Sequence, residues 1–399
     1  MNSIRDILPK LLSKAQEKFL ATLISTIMVV CGKVNFTNLS RYSEINERTY
    51  RRQFLRSYNF IKSNAQVIEQ AVVKTARQII AIDCSFLPKS GKATYGIEYF
   101  WNGGAGKAEK GLEISVLSII DVDRKQGYTL SVQQTPQAQA ETKKTRIDSY
   151  LEHLQATYPY LPESAHYVVN DGFYSKVKWV DGVIALNLDV IGKLRCDADL
   201  RYIYAGVQKP RGRKRIYDGK VYLTDGSRMT LVGEIEPKLH LYTVVVWSLS
   251  LKCKVRLAYL LDSRNLSRIG HVLLFSTDIN IDPKDILNFY KSRFQIEFIF
   301  RDAKQFTGLT DCQARDFTKL DFHFNASLLA LNLAKFDAWQ VHRSTHPEVP
   351  FVFSMASYKR LALNRHLLEQ FISLLDLEPT LIKSHPNFQK LCSYGIIVT

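Results

Sequence analysis

Apolar residues recur along this chain in two rhythms, one near 3.6 residues and one near two, and the changeovers are sharp. The first eighty residues keep the helical rhythm. One long apolar-periodic helix is predicted over about Asp6 to Cys31, closed by Gly32. TNLSRYSEINERTYRRQFLR then gives two short helical patterns around Ser43–Asn46, with small polar residues at the helix starts. The second of these is loaded with Arg48, Arg51, Arg52 and Arg56. A helix-turn-helix places such a helix in the major groove of DNA, although a solvated basic helix in a bundle reads the same way.

At Arg77 the texture changes. QIIAIDCSFL reads as a buried strand ending in a carboxylate, and a Gly-rich, Lys-bearing loop leads to two more strands, LEISVLSIIDVD and YTLSVQQT. KTRIDSYLEHLQATY is amphipathic, with apolar residues at Ile147, Tyr150, Leu151 and Leu154. AHYVVND is a short strand ending in an Asp, YSKVKWVDGVIAL a helix and DVIGKLR a fifth strand. Three strands, a helix, a strand, a helix and a strand predict a mixed α/β fold, one sheet with helices on both faces. That is the element order of a ribonuclease-H-like core.

From about Ala198 to Asp282 the two-residue rhythm dominates, in VYLTD, MTLVGEIE, LHLYTVVVWSLSL, KVRLAYLLD and HVLLFSTD. This stretch reads as a β-rich insertion, and helical periodicity returns at Lys284 and persists through Ser327–Phe336 almost to the end. The expected division is a helical DNA-binding region at 1–76, a catalytic core at 77–197 and 283–340, an insertion domain at 198–282 and a helical C-terminal region at 341–399.

Charge adds a partner class. Lys and Arg total 54 against 38 Asp and Glu, a formal excess of +16 that attracts polyanions but does not by itself exclude an inert basic surface. The six cysteines are scattered without zinc spacing, which suits a reducing cytoplasm. The opening MNSIRDILPKLLSKAQEKF is too polar for a signal peptide. The most apolar run, Phe19 to Gly32, is shorter than the roughly 20 residues that cross a bilayer. A soluble intracellular protein with no membrane partner is expected.

Three carboxylates stand out by placement. Asp83 and Asp171 follow the first and fourth core strands, which would be neighbours, and strand ends are where open sheets bind ligands. Two carboxylates brought together repel unless a cation neutralises them, although each taken singly is as well explained as a turn cap. The third lies in FYKSRFQIEFIFRDAKQFTGL, read as helical. Tyr290, Arg293, Glu297 and Lys304 follow at steps of three, four and seven, which return to one helix face. Spacing alone also allows an ordinary salt-bridged helix with Arg293 pairing Glu297.

Tyr290-x2-Arg293-x3-Glu297-x6-Lys304 resembles, at every position, the signature of bacterial insertion-sequence transposases of the insertion-sequence-four family. AIDCSFLPKSGK and YVVNDGFYSK are similar to that family's two Asp motifs, and the likeness runs from about Gln78 to Leu333. One departure is Phe294, where Trp is common. The resemblance implies a ribonuclease-H-like core with a β-rich insertion before the Glu helix. It also implies Asp83, Asp171 and Glu297 as catalytic ligands of two magnesium ions, with manganese substituting. Tyr290, Arg293 and Lys304 would grip phosphates near the cut. The implied partners are double-stranded DNA, as terminal inverted repeats and as target, bound by a homodimer in the bacterial cytoplasm. Family members that form hairpins stack a flipped base on an aromatic of the insertion, for which Trp247 and His271 are the candidates here.

Basic segments supply the rest of the DNA surface. Lys209, Arg211, Arg213, Lys214 and Arg215 crowd a loop that cannot pack into a core, and Lys89, Lys92, Lys107 and Lys110 form a weaker set near Asp83. The histidines, His153 and His166 among them, show no ligand spacing. Two alternatives remain open at this level: a structure-specific nuclease on the same core, and a decayed transposase acting as a DNA-binding regulator.

Overall fold

Small polar residues start the N-terminal helices, as their sequence positions predict. The computed structural model describes residues 13–136, 144–265, 269–345 and 348–397. Ser13 caps α1 (Lys14–Val29) in a capping box with Gln16. Asn35 caps α2 (Phe36–Arg41) and Asn46 caps α3 (Glu47–Gln53), each accepting the N–H three residues on. The side-chain oxygen satisfies a donor that the helix itself leaves open. The part of the expected Asp6–Cys31 helix before Ser13 lies outside the described residues. α4 (Phe60–Ala71) turns Phe60, Val67 and Ile68 inward.

The core follows in the expected order. β1 (Gln78–Pro88), β3 (Lys107–Asp121) and β4 (Gln126–Gln134) are joined by a short extra strand, β2 (Glu98–Asn102), formed inside the Gly-rich loop. Then come α5 (Arg146–Thr157), β5 (Tyr167–Val169), α6 (Val177–Ile184) and β6 (Asp189–Leu194). β1–β3 and β3–β4 pair antiparallel, while β1–β5 and β5–β6 pair parallel. Ile79 to Ile82 are all fully buried, as a strand covered on both faces must be.

β7 (Leu200–Ile203), β8 (Tyr217–Lys220), β9 (Thr230–Glu236), β10 (Leu239–Ser248), β11 (Cys253–Asp262) and β12 (Gly270–Ser276) continue the same sheet. Its order is β2-β3-β1-β5-β6-β12-β11-β10-β7-β8, with β4 on β3 and β9 on β10. The join is made by β12, which runs antiparallel to β6. VYLTD is not a strand: β8 ends at Lys220, and the Asp225 N–H closes a turn onto the Tyr222 carbonyl.

Six helices follow: α7 (Pro283–Ser292), α8 (Gln295–Phe306), α9 (Phe317–Thr345), α10 (Met355–Leu374), α11 (Pro379–Ser384) and α12 (Pro386–Cys392). α9 is buried almost continuously from Leu320 to Phe336, and it also solves an edge problem. β4 pairs only β3, which leaves one side of its backbone open. Asn332 accepts from Thr129 N at 3.0 Å and donates to Thr129 O at 2.7 Å and to Asn64 Oδ1 at 2.9 Å. Lys335 donates to Gly127 O at 2.9 Å. Side chains of α9 thus cover a strand edge that would otherwise recruit a foreign strand. One continuous apolar core links α1–α4, the sheet and α7–α9. Among the described residues, no helix is long and apolar enough to cross a membrane.

Candidate active site

Asp83 does not end β1. The strand runs on to Pro88 because β3 stays paired with it as far as Gly111. What stops near Asp83 is the parallel neighbour: β5 pairs with Ile80 and Ala81 and ends at Val169. Asp171 lies two residues beyond, capping a single 3-10 turn by accepting from Phe173 N at 3.0 Å. The turn-cap reading of Asp171 therefore holds geometrically, and the charge of the capping carboxylate is still felt at Asp83. Asn170 sets that position. Fully buried, it donates to Asp171 O and accepts from Trp179 Nε1, both at 3.0 Å. A Cβ on Gly192 of β6 would sit 2.8 Å from the Phe275 ring and 3.2 Å from the Asn170 amide, so the bare backbone there is a packing requirement.

The Tyr290–Lys304 stripe is not carried on one unbroken helix. α7 ends and α8 begins across Arg293–Phe294, where hydrogen bonds tighten to the i→i+3 kind, Ile296 N to Arg293 O and Glu297 N to Phe294 O, both 3.0 Å. Both residues keep right-handed helical backbone angles, so the stripe stays together despite the break. Arg293 lies 5.7 Å from the Tyr290 ring centre. Its two terminal nitrogens reach Asp83 Oδ2 at 3.0 Å and Glu297 Oε1 at 3.4 Å. The pairing of Arg293 with Glu297 is real, but it is half of a bridge that also seizes Asp83 from the sheet. Lys304 turns toward β1, donating to Phe86 O at 2.9 Å, and burial lowers its pKa.

Electrostatics in this cluster are strained in one direction. Burial pushes the Asp83 carboxyl up to about 6; Arg293 opposes the shift, and the charges of Asp171 and Glu297 add to it. Arg293, 11% exposed, supplies the positive charge that the buried carboxylate needs, and its Nε is buried with no partner among the described residues. Glu297 is the most open of the bridged groups, at 43% against 22% for Asp83. As they stand, no three His, Cys, Asp or Glu side chains among the described residues are grouped closely enough to hold a metal ion. The donor set nevertheless fits one: carboxylate oxygens are what hard divalent cations take, and a raised carboxyl pKa is the mark of missing positive charge. A guanidinium now stands between two of the carboxylates where such charge is required.

The remaining predicted residues divide by neighbourhood. Arg48, Arg51 and Arg52 are exposed on α3, with Arg51 bonded to Glu47 at 2.6 Å and lying over the Phe36 ring. Lys209, Arg211, Arg213 and Lys214 are exposed between β7 and β8, whereas Arg215 is tied to Asp218 at 2.6 Å and stacked on Tyr204. Lys89 donates to the Cys312 carbonyl, and Lys107 pairs with Glu109 at 3.3 Å. Trp247 is half-buried on β10 against Tyr217; His271 is exposed on β12 near Tyr259. His153 is a satisfied core residue, bonded to Ser131 and Ser115 and pushed down to about 3 by burial.

Sequence reading missed the support beneath Asp83. Cys84 Sγ lies 3.2 Å from the Tyr174 hydroxyl, and Tyr150 donates to the buried Glu113 at 2.6 Å. Asn170 was the one legible signal, an amide at the end of an otherwise apolar strand.

No curated protein matches the chain. Among solved structures, piggyBac transposase, in a synaptic complex with hairpin DNA determined by cryo-EM, matches with a TM-score of 0.46 at 11% identity, over 99% of this chain and 83% of that one. The family described as the transposase DDE domain matches residues 74–333, a span that holds β1, Asp83, Asp171 and the whole Tyr290–Lys304 stripe. The chain belongs to the transposase DDE domain family, and its business is DNA transposition by DDE-type recombination.

Proposed function

We propose that this chain is a transposase of the insertion-sequence-four type with a ribonuclease-H-like core. In this reading it binds the terminal inverted repeats of its element, cuts at the ends and joins the 3′ ends to target DNA. One observation carries the reading: Arg293 bonds Asp83 from the sheet and Glu297 from α8 at once, in a place where the charge of Asp171 is also felt. Two carboxylates from distant parts of the chain share one cation, and the charge of a third reaches them.

Asp83, Asp171 and Glu297 are the groups that would hold divalent metal, which transposases of this family generally use; magnesium is the proposed ion, with manganese as substitute. Bound there, divalent metal would supply the Lewis-acid charge that an in-line displacement at phosphorus calls for. The chain's own work is positioning. Arg293, released from one or both carboxylates, presents a planar fork to a phosphate, and its unpartnered Nε is ready for the same anion. Tyr290 backs the guanidinium, and Lys304 adds a point charge near β1. The α3 arginines and the basic loop between β7 and β8 supply phosphate contacts away from the cut. Two ends held together call for a homodimer on DNA, and in a bacterial host a DNA substrate would put the protein in the cytoplasm, at the nucleoid when bound.

The test is cleavage of a labelled duplex carrying the element's end, with magnesium, by wild type and by Glu297→Gln. Cutting at the boundary by wild type, with binding but no cutting by the variant, supports the reading. Equal cutting by both removes Glu297 from the site. Binding without cutting by either, on single and on paired ends, moves the DNA-binding regulator ahead.

A further inference from the structure

Beside α8 a cavity of about 860 Å³ opens between the β3–β4 turn, α9 and the segment after it. At about 100° per residue, Phe298 and Asp302 project roughly 100° and 140° round the helix from Glu297, while Arg301, four residues on, lies within about 40° of it. Cavity and carboxylate cluster thus lie on adjoining faces of one helix.

The lining combines flat rings and cations in a particular way. Trp339 carries two cations over its ring: the Arg124 guanidinium lies 5.1 Å and the Arg343 guanidinium 5.4 Å from its centre. Arg301 lies 4.7 Å from the Phe298 ring. A guanidinium held by a ring face keeps its N–H groups for an anion, unlike one held by a carboxylate. Arg301 does pair with Asp302, at 2.8 Å, and Arg124 faces Asp121 at 3.9 Å and donates to Ala71 O at 3.3 Å, but Arg343 has no ion pair among the described residues. At the base, Lys335 is 4% exposed and donates to Gly127 O. An ammonium has three donors, and this is the one bond it makes with a protein oxygen among the described residues. A buried ammonium with open donors, arginines lying over rings and a half-buried Phe298 form a site for an aromatic ring bearing a phosphate.

We propose that this cavity binds a nucleotide unit, its phosphate on Lys335, Arg343 and Arg124 and its base against Phe298, and that the unit belongs to a single DNA strand leading away from Glu297. The strand assignment rests on the transposase reading above; the ligand chemistry does not, since a free nucleotide carries the same groups. In the full-length protein, crosslinking with a bromodeoxyuridine-substituted single strand is expected to map to Phe298 or its neighbours in the cavity wall. Arg343→Glu is exposed and should fold; it should cut that crosslink at least about tenfold. Lys390→Glu changes charge equally, on exposed α12 outside the cavity, and should leave the crosslink within about twofold.

Competition separates the sources. Loss of the crosslink with excess unlabelled strand but not with thymidine monophosphate or ATP supports the strand. Loss with either mononucleotide at comparable concentration assigns a free nucleotide and overturns the strand assignment. A crosslink that maps to the 208–220 loop, or that survives Arg343→Glu, overturns the site. If the site is overturned while wild type still cuts the element's end, the transposase reading stands alone. If the crosslink behaves as expected and no end is cut, the cavity stands and the transposase reading falls.

Discussion

α8 separates two ways of holding an arginine. On one face Arg293 is gripped by carboxylates, with its terminal nitrogens on Asp83 and Glu297. On a neighbouring face, Arg124 and Arg343 lie over the Trp339 ring. The first arrangement neutralises buried negative charge and occupies the donors. The second leaves the charge and donors of Arg343 available, because a ring face attracts a cation without accepting its N–H bonds in the plane. Arg124 is intermediate, since it also donates to Ala71 O at 3.3 Å and faces Asp121 at 3.9 Å. An arginine near a nucleic-acid enzyme's centre is therefore not automatically a DNA contact; its present partner decides whether it is ready or must first be released.

The largest effect should come from removing the carboxylate that Arg293 grips. Asp83→Asn is expected to lower end cleavage by more than about a hundredfold, the upper end of what a lost supporting contact around a metal costs. Binding of the same duplex should stay within about twofold. The variant also tests the charge argument. Asp83's folded pKa, about 6, stands above the ordinary 3.8, so its contribution to stability is full below pH 4 and is lost as pH rises through 6. Without divalent metal, urea unfolding should show Asp83→Asn gaining on wild type between pH 4 and 6. The gap should level off on the order of 2–3 kcal/mol, two pKa units' worth. A gap that stays flat across that range would mean the carboxyl is not strained by its burial.

Arg293→Ala comes next. With the guanidinium gone, Asp83, Asp171 and Glu297 face one another without a counter-charge. The melting temperature should fall in chelator and recover on adding magnesium, by more than the same addition gives wild type. Cleavage should fall about tenfold to a hundredfold, as for a lost charge-assisted contact of about 1.5–3 kcal/mol. An Arg343→Ala control should show neither the metal-dependent recovery nor the stability loss. If both arginine variants respond alike to magnesium, the contrast between the two faces is broken.

How much of this was legible in the sequence follows from how local each feature is. The stripe from Tyr290 to Lys304 could be read because helical spacing is local, and the break at Arg293–Phe294 could not, since a shift from i→i+4 to i→i+3 bonds leaves no residue signature. The core strand order was readable from two-residue rhythm. The extent of β1 beyond Asp83 was not, because it depends on partner β3 far along the chain. VYLTD carries a strand's composition and is bent instead by Asp225, a turn former whose effect outweighs β propensity. The cavity beside α8 was invisible: Trp339, Arg124 and Phe298 come from three distant segments, and Trp339 and Lys335 read as ordinary members of an apolar helix.

The smallest expected effect concerns a third kind of cation, held by neither carboxylate nor ring. Arg211, Arg213 and Lys214 are exposed in the loop between β7 and β8. Arg215 beside them is already bonded to Asp218 and stacked on Tyr204. Replacing the first three by Ala should leave the melting temperature within about 1 °C, as for surface changes away from packed features. Duplex affinity should fall by several-fold at low salt, with the slope of log affinity against log salt shrinking by about one for each phosphate contact removed. Arg215→Ala should behave differently, moving stability slightly and the salt slope little, because its charge is already answered within the loop. Equal salt-slope changes for Arg215 and Arg213 would show that a guanidinium bonded to a surface carboxylate exchanges that partner freely for phosphate. The same freedom would then have to be granted to Arg301, which Asp302 holds at 2.8 Å on α8.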